Sequence, residues 1–313
     1  MNEHTTIIAE VGSNYNGDID LAGEYIRKAC KGGADAVKFQ TLRKNRLVAP
    51  WLFSDGIKKE NPIYKQFASL ELPDDWHRLL KAEADACGVE FISTPFYLEA
   101  VDLMEQIGVR TYKIASGDIT FFPLLEAVGS THKKVILSTG ASTLEDVDKA
   151  LNKLIKSGSS DVALLHCVSN YPPQWDEMNL KALITLKAAF GLPVGISDHS
   201  PGSLVPIAAI ALGATIVEKH VTFDRSLLGP DHPFAMTMDE FGEMVRQIRC
   251  LEEALGTGTK TPAESEQAKQ HRMRRGIYDP VTFEPTKKSD GVWLRPEHPW
   301  TRSSRSYSGE QKR

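Results

Sequence analysis

The stretch Ala36-Val37-Lys38-Phe39-Gln40 alternates apolar and polar residues. In a strand, successive side chains leave on opposite faces. Val37 and Phe39 therefore share one face, and Lys38 and Gln40 share the other. The apolar face suits a covering layer of helices. The polar face suits the upper interior of a closed barrel. The run at 6–11 reads the same way. Ile7, Ala9 and Val11 face the helices, and Glu10 points inward.

Working outward, strands are predicted at 6–11, 36–40, 90–94, 111–115, 134–139, 162–167, 194–198 and 215–220. Helical spacing of apolar residues predicts helices at 18–31, 74–87, 98–106, 123–128, 143–156, 178–190, 203–212 and 238–255. Glycines such as Gly32, Gly88, Gly108 and Gly129 follow several of them and read as stop signals. Eight strands alternating with eight helices predict an α/β fold, a (β/α)8 TIM barrel. A doubly wound open sheet is the alternative, but no Walker loop and no GxGxxG turn is present. The barrel is expected over residues 1–256. A short irregular C-terminal tail is expected over 257–313, with 303–313 disordered. The 43–72 segment is long for a loop after a strand, which points to function.

The 313 residues carry 37 basic and 41 acidic side chains, a net charge of −4. That balance gives no electrostatic case for nucleic-acid binding. No apolar run reaches the ~18 residues of a membrane span. The longest, 204–217, reads as a buried helix entering a strand. Met1-Asn2-Glu3-His4 lacks the basic region and apolar run of a signal peptide. Cys30, Cys87, Cys167 and Cys250 form no CxxC pair and are expected to be buried free thiols in the cytoplasm.

The strand tops carry the chemistry. Inward parity gives Glu10, Lys38, Gln40 and Lys113, followed by Ser116. Ser138 and Ser197 come from later strands, with Ser197-Asp198-His199 and Glu218-Lys219-His220 closing the last two. A Glu10–Lys38 structural ion pair accounts for two of these residues and not for the set. His199 and His220 end neighbouring strands, ~4.8 Å apart, and can converge on one ion. They can equally form a hydrogen-bonded polar pair at the rim. Lys38 and Lys113, with Ser116 and Ser138, form a plausible phosphate cradle. A Schiff-base aldolase using Lys113 is the competing chemistry. His166 reads as structural. His4, His77, His132, His271 and His298 read as solvated.

Several motifs in register resemble the sialic acid synthase family. They are Ile8-Ala9-Glu10, Asn16-Gly17-Asp18, Gly33-Ala34-Asp35-Ala36-Val37-Lys38-Phe39-Gln40, Ser93-Thr94-Pro95-Phe96, Tyr112-Lys113-Ile114-Ala115-Ser116-Gly117-Asp118, Ser138-Thr139-Gly140, Ser197-Asp198-His199-Ser200, Glu218-Lys219-His220 and Gly229-Pro230-Asp231-His232. The resemblance runs from about residue 5 to 275. It implies condensation of phosphoenolpyruvate with an N-acetylated hexose, such as N-acetylmannosamine, to a nine-carbon 2-keto sugar acid with release of phosphate. It implies a divalent metal, manganese or magnesium, on His199 and His220, and a homodimer. It places phosphoenolpyruvate on Lys38, Lys113, Ser116 and Ser138. It places the sugar and reaction centre at Glu10, Gln40, Thr94, Tyr171, Ser197 and Asp231, with Glu10 managing protons. The Gly229–His232 motif is closer to the neuraminate and legionaminate branch. The family's Asn-His-Asn-Gly is Asn14-Tyr15-Asn16-Gly17 here. The pattern is followed to Ile277, and the residues beyond do not read as the family's antifreeze-like lid domain. Without that lid, a barrel that binds sugar or pairs with a complete homologue is a further expectation.

Overall fold

The computed structural model describes residues 4–54, 56–287 and 289–295. Its contacts separate two compact units, Met1–Thr257 and Gly258–Arg313.

The first unit is the closed barrel. Its strands are β1 (Thr6–Gly12), β2 (Ala36–Thr41), β3 (Glu90–Pro95), β4 (Thr111–Ile114), β5 (Lys134–Ser138), β6 (Val162–Cys167), β7 (Val194–Asp198) and β8 (Ile216–Thr222). All are parallel to their neighbours, in sequence order, and β8 pairs back onto β1. The helices outside are α1 (Ile19–Lys31), α2 (Asp74–Cys87), α3 (Leu98–Ile107), α4 (Phe122–Gly129), α5 (Leu144–Lys156), α6 (Ala182–Phe190), α7 (Leu204–Ala211) and α8 (Met238–Leu255). Local chemistry sets their starts. The Asp18 side chain accepts from the Asp20 and Leu21 N–H groups. Thr143 with Asp146, and Thr237 with Glu240, form reciprocal caps on α5 and α8, satisfying N–H groups that a helix leaves unpaired.

Outward-facing strand residues such as Ile7, Val37, Phe39, Tyr112 and Leu137 pack into the helix layer. The inner face is graded. Ile8, Ala36, Ile92, Ile136, Ala163, Leu165 and Ile216 form a separate apolar cluster. Two residues further along the same strands stand Glu10, Lys38, Thr94, Ser138, Cys167 and Glu218, all buried. An apolar plug thus floors the barrel, and the polar layer lies above it, toward the C-terminal strand ends. At the opposite end Asp35 accepts from the Ile7 N–H and from Arg249, both at 2.8 Å.

Some expectations are corrected. α6 begins at Ala182, not 178, because Asn179 takes φ 38°, which a helix cannot continue through. The left-handed residue after α1 is Gly33, φ 86°, while Gly32 is right-handed. His77 is buried rather than solvated, with ring contacts to Thr41 Oγ1 at 2.7 Å and the Pro73 carbonyl at 3.0 Å. Of the cysteines only Cys167 is buried; Cys30 and Cys87 are partly exposed and Cys250 is exposed. The 43–72 segment is not structureless: it carries helices Lys44–Leu47 and Pro62–Ala68 and the hairpin Trp51–Ser54 with Ile57–Glu60.

In the second unit, helix Glu264–Met273 precedes two antiparallel strands, Gly276–Tyr278 and Val292–Leu294. His298 and the expected disorder of 303–313 lie outside the described residues.

Gly195 belongs to the plug layer. A Cβ there would stand 2.4 Å from the Ile216 carbonyl and 2.7 Å from Leu165 Cδ2. Gly195→Ala is therefore expected to destabilise the barrel by about 1–3 kcal/mol or more. Urea unfolding checks this, and an unchanged midpoint would mean that the plug relaxes freely.

Candidate active site

A cavity of about 630 Å3 opens at the C-terminal strand ends. Eleven of the twelve residues expected at the site line it: Glu10, Lys38, Gln40, Thr94, Lys113, Ser116, Ser138, Tyr171, Ser197, His199 and His220. Asp231 stands beside them, its Oδ2 3.7 Å from His220 Nδ1. The last residue of β1 makes room for it. Gly12 has φ 56°, and a Cβ there would meet Asp231 Oδ2 at 2.9 Å.

Glu218, to which sequence reasoning gave no role, sits at the centre. Its Oε1 accepts from Ser197 Oγ at 2.8 Å and from Lys113 Nζ at 3.3 Å. Its Oε2 lies 3.7 Å from Lys38 Nζ. Lys38 also pairs with Glu10 Oε2 at 2.7 Å and donates to Thr94 Oγ1 at 3.2 Å. Gln40 Nε2 donates to Glu10 Oε1 at 2.9 Å. Ser116 Oγ accepts from the Gly140 N–H at 2.9 Å. The buried Ser138 hydroxyl has no partner.

Environment separates like groups. Burial raises the Glu10 carboxyl above its ordinary value, against the pull of Lys38. Burial acts on Glu218 too, but the Lys113 and Lys38 ammonium groups outweigh it and hold that carboxyl down. Lys38 is raised because Glu10 and Glu218 overcome the effect of its burial, whereas burial prevails at Lys113 and lowers it.

The histidines form a second group. Their rings stand 5.3 Å apart, with Phe234 5.9 Å from His199 and 5.1 Å from His220. Tyr171, half exposed, covers His199 at 4.3 Å. Burial pushes His199 down to about 4 and His220 well below its ordinary value, so both rings are neutral at pH 7. Among the described residues, no group of three or more His, Cys, Asp or Glu side chains is arranged as a metal cluster. Two neutral imidazoles, the buried His220 Nδ1 without a hydrogen-bond partner, and the nearby Asp231 carboxylate nevertheless fit a divalent ion that keeps open positions. His166 lies apart, with Nε2 donating to the Met178 carbonyl at 2.8 Å.

Asp118, also on the cavity wall, has a buried Oδ2 without a partner, and burial raises its pKa from 3.8 to about 6. The folded state thus holds this proton more tightly than the unfolded chain. Its stability falls as pH rises from about 4 to about 6, by up to roughly 3 kcal/mol. Asp118→Asn removes that slope. Urea unfolding from pH 4 to 7 should show the two proteins converging at acid pH, with the variant more stable at pH 7. Parallel curves would contradict the burial argument.

Residues 25–260 match the NeuB family. The chain is 46% identical to an uncharacterised protein of Methanocaldococcus jannaschii over 88% of this chain and 79% of that one. It is 40% identical to the N,N'-diacetyllegionaminic acid synthase of Campylobacter jejuni, over 87% and 84%. The N-acetylneuraminic acid synthetase of Leptospira borgpetersenii, solved with citrate, superposes with a TM-score of 0.78 at 35% identity, covering 86% of this chain and 91% of that one. A polar-topped barrel with this register, and this extent of likeness, place the chain in the NeuB family.

Proposed function

We propose that the chain joins phosphoenolpyruvate to the open-chain form of an N-acetylated hexose, giving a nine-carbon 2-keto sugar acid and inorganic phosphate. One observation carries the reading. A single cavity holds the buried Lys38 and Lys113 with the hydroxyls of Thr94, Ser116, Ser138 and Ser197, beside two neutral histidines. The first set suits a phosphorylated carboxylate. The second suits a divalent ion, and the relatives named as sugar-acid synthases support the product class.

In this reading Lys38, Lys113, Ser116 and Ser138 hold the phosphate and carboxylate, fixing the enol carbon toward the aldehyde. His199 and His220, with Asp231 nearby, would hold manganese or magnesium, which supplies Lewis-acid polarisation of a carbonyl when bound. C3 of phosphoenolpyruvate forms the new carbon–carbon bond and leaves positive charge at C2. Water adds at C2, and the C2–O bond to phosphate breaks. Glu10, paired with Lys38 and Gln40, takes the proton of that water or returns one to the departing phosphate. Tyr171 and Asp231 stand where the sugar would enter, and Thr94, Gln40 and Ser197 shape the floor. Glu218 balances the two lysines, keeping both ammonium groups in place between substrates.

Phosphate release from phosphoenolpyruvate, across a panel of N-acetylated hexoses with and without chelator, tests the proposal. Release is expected only with both substrates and to stop on chelation. Lys38→Ala and Lys113→Ala should each reduce kcat/KM for phosphoenolpyruvate about ten- to a hundred-fold. His199→Ala or His220→Ala should abolish metal-dependent turnover with the fold intact. Chelator-resistant activity, together with borohydride trapping of pyruvate on Lys113, would establish the Schiff-base chemistry instead.

A further inference from the structure

On the outside of the barrel, α1 and α2 are joined by two successive rungs. Arg27 Nη1 donates to Glu83 Oε1 at 2.8 Å. One turn further along both helices, Cys30 Sγ donates to the Cys87 carbonyl oxygen at 3.0 Å. Cys87 is the last residue of α2 and Cys30 the last but one of α1. A carbonyl oxygen lies about 3 Å from the Cβ of its own residue. The Cys30 sulfur therefore lies against the Cys87 residue, and its side chain also reaches the Cys87 thiol itself. Both residues are partly exposed, so a small reagent can reach them. Neither lines the catalytic cavity.

We propose that Cys30 and Cys87 are a modification site, closing to a disulfide between α1 and α2 when the protein meets a low-molecular-weight disulfide such as oxidised glutathione. The Cys30 thiolate attacks one sulfur of the reagent. A mixed disulfide forms and one glutathione thiolate leaves. The Cys87 thiolate then attacks Cys30 Sγ and expels the second. Two protein thiols are oxidised, one reagent disulfide is reduced to two thiols, and the two protein protons end on them. Burial and the neighbouring sulfur push the Cys87 thiol up, which makes it the poorer first nucleophile and leaves its attack to the intramolecular step, where proximity offsets a smaller thiolate fraction. The bond would tie off the segment 30–87. That segment carries Lys38 and Gln40 on β2 and the long insertion that reaches the cavity at Leu47. Its effect is therefore to hold the first two strand–helix units together, with the catalytic groups untouched.

The test uses the full chain with Cys250→Ser, which removes the exposed thiol. After incubation with oxidised glutathione, free thiols are blocked with N-ethylmaleimide under denaturing conditions and the intact mass is measured. One maleimide adduct in place of the three on the untreated protein, no retained glutathione and reversal by dithiothreitol are expected. The thermal midpoint should rise by roughly 5–10 °C and fall back on reduction. Adding Cys30→Ser or Cys87→Ser should remove both the mass change and the shift. Full blocking of Cys30 and Cys87 after oxidation, stable glutathione adducts on both, or a mapped disulfide to Cys167 would each overturn the proposal.

Discussion

Hydrogen bonding between β1 and β8 closes the sheet, and the rest of the molecule depends on that closure. The register sets Glu10 opposite Lys38 on one side and His220 on the other. A closed sheet has no edge, so each strand's inward residues share a single interior. Below, that interior is filled by Ile8, Ile92, Ile136, Leu165 and Ile216. Above, it holds charges that water would otherwise solvate. Burying a lone ammonium or carboxylate is costly, and only close partners offset it. Glu218 is thus a structural requirement of the two lysines before any substrate arrives.

The same closure makes identical residue types behave differently. Glu10 and Glu218 are both buried, yet one is raised and the other held low, because Glu218 faces two ammonium groups and Glu10 chiefly one. Carboxyls pushed apart in this way are suited to different work in one site. Lys219, between two inward residues of β8, points the other way and pairs with Asp198 at 2.5 Å. This second buried ion pair lies behind the β-sheet wall and anchors β8 to β7 without entering the cavity.

Much of this is legible in the sequence, for a physical reason. Strand period two and helix period 3.6 are set by backbone geometry, so the eight repeats and the inward parity of Glu10, Lys38, Lys113 and His220 could be read directly. Glu218 shares the parity of His220, and that signal was available. It was missed because a glutamate two residues before a histidine carries no spacing of its own. Thr94, Tyr171 and Asp231 emerged through family resemblance: Tyr171 and Asp231 lie on loops that obey no period, whereas Thr94 shares the inward parity of Ile92 on β3, a signal that was available. Phe234 and the buried His77 left no local mark. Phe234 comes from the loop after β8, and His77 is buried because Thr41 reaches its ring from β2. The start of α6 was misplaced because one left-handed residue, Asn179, outweighed an apolar run.

The division between strand and loop also bears on selectivity. The groups proposed to hold phosphoenolpyruvate project from strand ends or the first residues beyond them, where the hydrogen-bonded sheet limits their movement. Tyr171, Asp231 and Phe234 sit on longer connections after β6 and β8, held by ring contacts and by the space at Gly12. Strand positions are constrained by the closure, because moving one disturbs a shared charge cluster. Loop positions are constrained only by their immediate neighbours. Sugar-facing chemistry can therefore change with little effect on the barrel, whereas a change at Lys38 or Glu218 alters every charge around it. In the proposed reaction, then, the acceptor sugar is the adjustable half and the enol donor is the fixed half.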